Sequence, residues 1–261
     1  MPLPAVFVGV DVYHAPRKFD PKAGKRLAKE SVAAVIVQII RSHVPEKNSM
    51  VEIYCETERR LAGKEMELGS IMSRTVSNAL KAFNMPTPKS CYIWRDGVGD
   101  SAIAQVASQE IPAVRAALAN TGKVVGQAKA PAPVPLAYVV CQKRINTKFL
   151  TQTGDKVPCG ALVTDLQGAD YKTFYINGTS PPYSTPKPVR FIIAQRDPLL
   201  APVSPSQLSW ALMHDYPNWY VHCNVFLTIT GALFIHSIPF DTIISIQDRT
   251  HQSSSACPVG T

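Results

Sequence analysis

The sequence predicts an α/β fold, a mixed central sheet flanked by helices, and three observations carry that expectation. Short apolar runs recur: VFVGV before Asp11, CYIW before Arg95 and Asp96, and LAYVVC up to Cys141. Runs of this length and composition suit strands buried on both faces. Between the first two lies a stretch whose apolar residues recur at spacings of three, four or seven, the pattern of a half-buried helix. Finally, two of the runs end on a carboxylate, Asp11 and Asp96. An acid belongs at the rim of a sheet, away from the core it would disrupt, and that rim is where metal-assisted chemistry is usually placed.

Taken in order, strands are expected at residues 6–13, 31–40 and 50–56, with the basic segment 17–29 as a solvated hairpin loop between the first two. The helical pattern then runs through Leu61, Leu68, Met72, Val76, Ala79 and Phe83, and Pro86 and Pro88 close it. A strand at 91–94 leads into a helix that Asp100 or Ser101 is placed to cap, with Ile103, Val106 and Ala107 facing inward. Pro112 is expected to begin a second helical segment at 113–119, because proline suits a first turn and breaks an interior. Residues 121–135, TGKVVGQAKAPAPVP, read as a flexible surface insertion, and 136–141 as another buried strand.

The element order is therefore β-β-β-α-β-α-β, that of the ribonuclease H-like fold: three antiparallel strands, then two parallel additions reached through helices. In that topology the first and fourth strands are neighbours. Asp11 and Asp96, far apart in sequence, would then lie side by side, the adjacency that a pair of metal ions sharing ligands requires.

Composition narrows the class. With 261 residues, 46% hydrophobic and 18% charged, the chain reads as globular and long enough for a sizeable core. Its net charge of +8 suits a polyanionic partner. The six cysteines (Cys55, Cys91, Cys141, Cys159, Cys223 and Cys257) are scattered without a C-x-x-C pair. A reducing compartment, cytoplasm or nucleus, is expected, with neither a disulfide framework nor a zinc site. The first residues, MPLP, lack a basic region followed by an apolar core, so no secretory signal is expected. Residues 223–240 are apolar and nearly long enough to span a bilayer, but their β-branched and aromatic content favours strands, and no membrane association is expected.

Five motifs in order carry a resemblance: GVDVYH (9–14), ALKAF (79–83), RDGVGD (95–100), VVCQKRINTKF (139–149) and LSWALMHDYPNW (208–219). Together they resemble the PIWI domain of the Argonaute/Piwi family, with wording closer to the Piwi branch. The resemblance runs from about residue 6 to 219. It implies a PIWI domain over 1–222, with the insertion 121–135, and a divergent C-terminal tail over 223–261. Nothing in these 261 residues resembles the MID and PAZ modules of complete Argonautes, so the PIWI module alone is expected here. In slicing members, acidic residues and a histidine hold two magnesium (or manganese) ions that cut target RNA opposite a guide.

Carried over residue by residue, Asp11 and Asp96 match the two metal-binding aspartates, Glu67 the inserted catalytic glutamate, and His222 the catalytic and metal-binding histidine. A segment that the family carries between Trp219 and Tyr220 is missing here. Gln142, Lys143, Arg144, Lys148 and Arg190 match positions near the guide strand, where cations suit a phosphate backbone. His14 matches a family histidine without catalytic duty. The resemblance implies small guide RNA, complementary target RNA and protein cofactors of RNA silencing as partners. Three readings stay open: a metal-dependent endoribonuclease, a non-cleaving RNA-binding module, and an inactive fragment.

Overall fold

A computed structural model of the chain describes residues 1–14, 19–22, 24–26, 30–41, 52–61, 67–85, 87–120, 132–164, 171–178 and 185–214. The strands are β1 (Ala5–His14), β2 (Phe19–Asp20), β3 (Lys25–Arg26), β4 (Glu30–Ile40), β5 (Glu52–Leu61), β6 (Ser90–Asp96), β7 (Leu136–Gln142), β8 (Leu162–Thr164), β9 (Lys172–Ile176) and β10 (Val189–Arg196). The helices are α1 (Gly69–Ala82), α2 (Ile103–Asn120) and α3 (Pro205–His214). Eight strands form one sheet in the order β5-β4-β1-β6-β7-β10-β9-β8, and β2 with β3 makes the hairpin expected between the first two long strands. β1 pairs antiparallel with β4 and parallel with β6, and β6 pairs parallel with β7. That is the predicted topology, extended beyond β7 by three antiparallel strands.

Alternation along the strands splits the core into two layers. Val6, Val8 and Val10 of β1, Cys91 and Ile93 of β6, and Tyr138 and Val140 of β7 pack with Met72, Val76 and Leu80 of α1 and Val106, Val114 and Leu118 of α2. Phe7, Tyr92, Trp94, Val139 and Phe191 pack on the other side with Leu208, Leu212 and Met213 of α3. The Trp94 Nε1–H donates to Ser209 Oγ at 3.0 Å, tying β6 to α3.

Several expectations need correction. Leu61 belongs to β5, not to the helix: its backbone pairs with Glu30, and along the charged stretch of β5 Arg74 of α1 donates to Glu56 at 2.8 Å and to Glu58 at 3.0 Å. Pro112 starts no helix; it sits exposed inside an unbroken α2. On the solvent side the carbonyl deprived of its donor can be hydrated, while buried Glu110 and Val114 hold the helix to the core. Residues 132–135, placed in the surface insertion, are docked: the Cys91 N–H donates to the Pro135 carbonyl at 2.9 Å, and Val134 is buried. Residues 121–131 of that insertion, the apolar stretch 223–240 and the whole tail 223–261 lie outside the described residues. No helix among the described residues is long and apolar enough to cross a membrane.

Candidate active site

Register brings the two predicted aspartates together. Val10 of β1 faces Arg95 of β6 in the parallel pair, so the next residues, Asp11 and Asp96, follow side by side on neighbouring strands. Both share the side-chain face of Phe7, Tyr92 and Trp94, opposite α1 and α2. Asp96 closes β6, as expected. Asp11 does not close its strand, since β1 runs on to His14 paired with β4 alone. The acid thus stands one residue past the last pair with β6, level with Asp96. Its Oδ1 accepts the Val12 N–H at 2.7 Å.

Asp96 then leads into Gly97, at φ +78, a conformation that favours glycine and turns the chain sharply off the sheet. The Gly97 N–H donates to the Cys141 carbonyl at 3.3 Å. Burial pushes the Asp96 carboxyl above the usual carboxylate range. The Lys143 ammonium opposes that rise by pairing with Asp96 Oδ2, and the Asp11 charge adds to it. Burial likewise pushes the Cys141 thiol well up, with contributions from Asp96 and Asp11. Cys141 faces Asp96 in the β6–β7 pair and lies in the apolar layer, so it is a packing residue.

The five residues matched to guide contact divide into three groups. Gln142 and Arg190 meet at Asp100: Gln142 Nε2 donates to Asp100 Oδ1 at 2.8 Å, and Arg190 Nη1 donates to Asp100 Oδ1 and Oδ2 at 2.9 and 2.8 Å. Those bonds hold the Asp100 carboxyl below its ordinary value. Asp100 is therefore no side-chain cap. It opens a short turn, Asp100–Ala102, whose preceding residue makes no side-chain cap bond. Lys143 reaches Asp96 itself. Arg144 and Lys148 are exposed on the segment after β7.

Glu67 is exposed just ahead of α1, and among the described residues nothing joins it to the aspartates. His222 lies outside the described residues, as does the His14 side chain. Sequence reasoning also passed over Arg95, Glu110 and Tyr138, a buried polar group directly behind Asp96. A signal was available: Arg95 stands within an apolar strand, and Glu110 is the acid on a helix that must bury one face.

The donor set suits a hard divalent ion such as Mg2+ or Mn2+, since carboxylate oxygens on one face of adjacent strands are its preferred ligands. Among the described residues no group of three or more His, Cys, Asp or Glu side chains converges. Asp11 and Asp96 thus offer two carboxylates that could hold such an ion.

The sequence model of the Piwi domain matches residues 1–232. The chain is 25% identical over 262 residues to Piwi-like protein Siwi of Bombyx mori, covering 97% of this chain and 26% of that protein. It is 25% identical over 221 residues to Piwi-like protein 1 of Danio rerio, covering 82% of this chain and 23% of that one. The chain thus spans about a quarter of the length of these relatives. The crystal structure of Drosophila Piwi is similar with a TM-score of 0.60 at 21% identity, covering 84% of this chain and 27% of that one. That of Kluyveromyces polysporus Argonaute with a guide RNA gives a TM-score of 0.53 at 18% identity, covering 80% and 24%. At such identities the likeness establishes the fold, the ribonuclease H-like arrangement of Argonaute PIWI lobes.

Proposed function

The chain belongs to the Piwi domain family, and from that membership we propose that it acts in guide-RNA-associated silencing: it binds a small guide RNA and, with two divalent metal ions, cleaves the complementary target RNA. The observation that carries the reading is the side-by-side placement of Asp11 and Asp96 on one face of adjacent strands. Exposed Arg144 and Lys148 on the segment that leaves β7 beside Asp96 add support. The Kluyveromyces polysporus relative of the same fold holds a guide RNA.

Asp11 and Asp96 are the residues that would hold the ions, with His222 completing the set and Glu67 reaching it by movement of the segment ahead of α1. When bound, such ions activate the attacking water and stabilise the leaving oxygen. Lys143 shares the Asp96 carboxylate with any cation that binds there. Arg144 and Lys148 grip phosphates without reading bases. Selection of the target then falls to pairing between guide and target. The site of action is the cytoplasm or nucleus, with protein cofactors of silencing as further partners.

The test is cleavage of a labelled RNA complementary to a 5′-phosphorylated guide, in Mg2+ or Mn2+. A single cut that Asp96→Asn abolishes, with guide binding kept, is the expected result. A second reading, RNA binding without cleavage, draws on the ammonium seated at Asp96 and on the two-carboxylate count among the described residues. Guide binding with no cut in either metal would select it. Loss of both would overturn the function.

A further inference from the structure

Directly behind Asp96, on the α2 side of the sheet, three polar side chains are sealed in the core. Arg95 is 1% exposed and Glu110 fully buried, and Tyr138 is buried with them. Arg95 Nε donates to Glu110 Oε1 at 3.3 Å, and the Tyr138 hydroxyl donates to Glu110 Oε2 at 2.5 Å. Arg95 Nη1 reaches out of the triad and donates to the main-chain carbonyl of Asp96 at 2.6 Å. Arg95 Nη2 is buried without a hydrogen-bond acceptor.

Stability accounts poorly for this group. Burying an ion pair costs desolvation that its mutual attraction often fails to offset, and apolar residues of similar volume often do as well or better. The long Nε contact and the unpartnered Nη2 make the balance worse. What the triad does supply is a rigid donor at one peptide. That peptide carries Asp96, the last residue of β6, where the parallel pairing to β1 has stopped at Arg95 and the chain is about to turn at Gly97. The Cys141 carbonyl holds the next N–H from the β7 side. Fixing the Asp96 carbonyl fixes the backbone angle that aims its side chain, and a metal site tolerates only about half an ångström of looseness.

We propose that Arg95, anchored by Glu110 and Tyr138, is a positioning residue that aims the Asp96 carboxylate beside Asp11 for divalent cation binding. The proposal rests on the metal-binding reading of the two aspartates. It predicts that the triad can be replaced at little cost in stability and a large cost in metal affinity.

The test uses the full chain with Arg95→Met, Glu110→Leu and Tyr138→Phe combined, compared with wild type and Asp96→Asn. Thermal unfolding in EDTA reports the fold, and a Mn2+ titration followed by electron paramagnetic resonance reports the site. The expected result is a melting temperature within a few degrees of wild type and a Mn2+ dissociation constant raised about tenfold. Mn2+ binding that superimposes on wild type, while Asp96→Asn loses it, would overturn the positioning role and leave the metal reading intact. No Mn2+ binding by wild type would overturn both. Should the triple variant fail to fold, Tyr138→Phe removes only the anchor of Glu110. A several-fold weaker Mn2+ affinity is then expected, and unchanged affinity overturns the proposal.

Discussion

At Asp96 three influences meet on one carboxylate: burial and the Asp11 charge disfavour its ionised form, and the Lys143 ammonium favours it. With its side chain 14% exposed, little water is at hand to arbitrate. Lys143 is thus a resident counter-ion and a competitor for any divalent cation, which makes its removal informative. Lys143→Ala should cost about 2 kcal/mol in EDTA, because a mostly buried carboxylate loses its charged partner. Mn2+ should then restore that loss and stabilise the variant more than it stabilises wild type, since binding to the folded state alone raises stability with metal concentration. Denaturant unfolding with and without Mn2+ measures both. Equal Mn2+ stabilisation of the two proteins would contradict the competition. Nothing in the sequence announces this pairing: Lys143 stands in a basic cluster and reads as a phosphate contact. Asp100 misleads in the same way. An aspartate before a helix reads as a cap, and the residue that decides otherwise, Arg190, lies on β10.

Among elements, the junction of α2, β7 and β10 depends on one side chain, Asp197. Its two oxygens each receive Arg115 Nη2 of α2 at 2.8 Å, and Oδ2 also accepts the Leu136 N–H that opens β7, at 2.8 Å. Burial pushes the Asp197 carboxyl up, yet Arg115 and the Leu136 N–H outweigh it and hold it below the ordinary 3.8. A depressed folded-state value adds stability that is present above pH 3.8 and is lost as pH falls through the folded value. Asp197→Asn should therefore cost about 2 kcal/mol at pH 7. The difference from wild type should close as pH drops below about 3.8. Urea unfolding across that range checks the sign; a gap that widens in acid would refute it. The central elements were legible because their apolar runs are long and buried on both faces, as in CYIW and LAYVVC. β8 was not, because its three residues are exposed or half-exposed and its pairing to β9 comes from the sheet, not from local pattern. β10 did carry a signal, the run VRFII, that the element order to β7 left unused.

For the whole molecule, topology made half of the site readable. Asp11 and Asp96 could be paired from element order alone, since the parallel addition of β6 to β1 follows from the fold. Glu67 could not be placed that way: it stands exposed ahead of α1, on no strand whose register would bring it to the aspartates. The basic residues divide by what the fold puts beside them, and this makes their shares in RNA binding separable. Phosphate neutralisation lowers log affinity against log salt by roughly 0.7 per contact on a single strand. Arg144 and Lys148 are exposed on the segment after β7, so each should contribute a full contact. Arg190 is already matched by the Asp100 carboxylate, and a phosphate gains there only by displacing it. Arg144→Ala with Lys148→Ala should thus flatten the salt dependence of guide binding by about 1.4 in slope. Removing the pair together (Arg190→Ala with Asp100→Ala) should flatten it by less than one contact's worth, because a cation already neutralised by Asp100 releases few counterions from the strand. Fluorescence anisotropy of a labelled guide from low to moderate salt measures both slopes. Parallel lines for wild type and the Arg144/Lys148 variant would remove the segment after β7 from the binding surface, and a flattening of about 0.7 or more on removing Arg190 with Asp100 would mean that Asp100 does not hold Arg190 back.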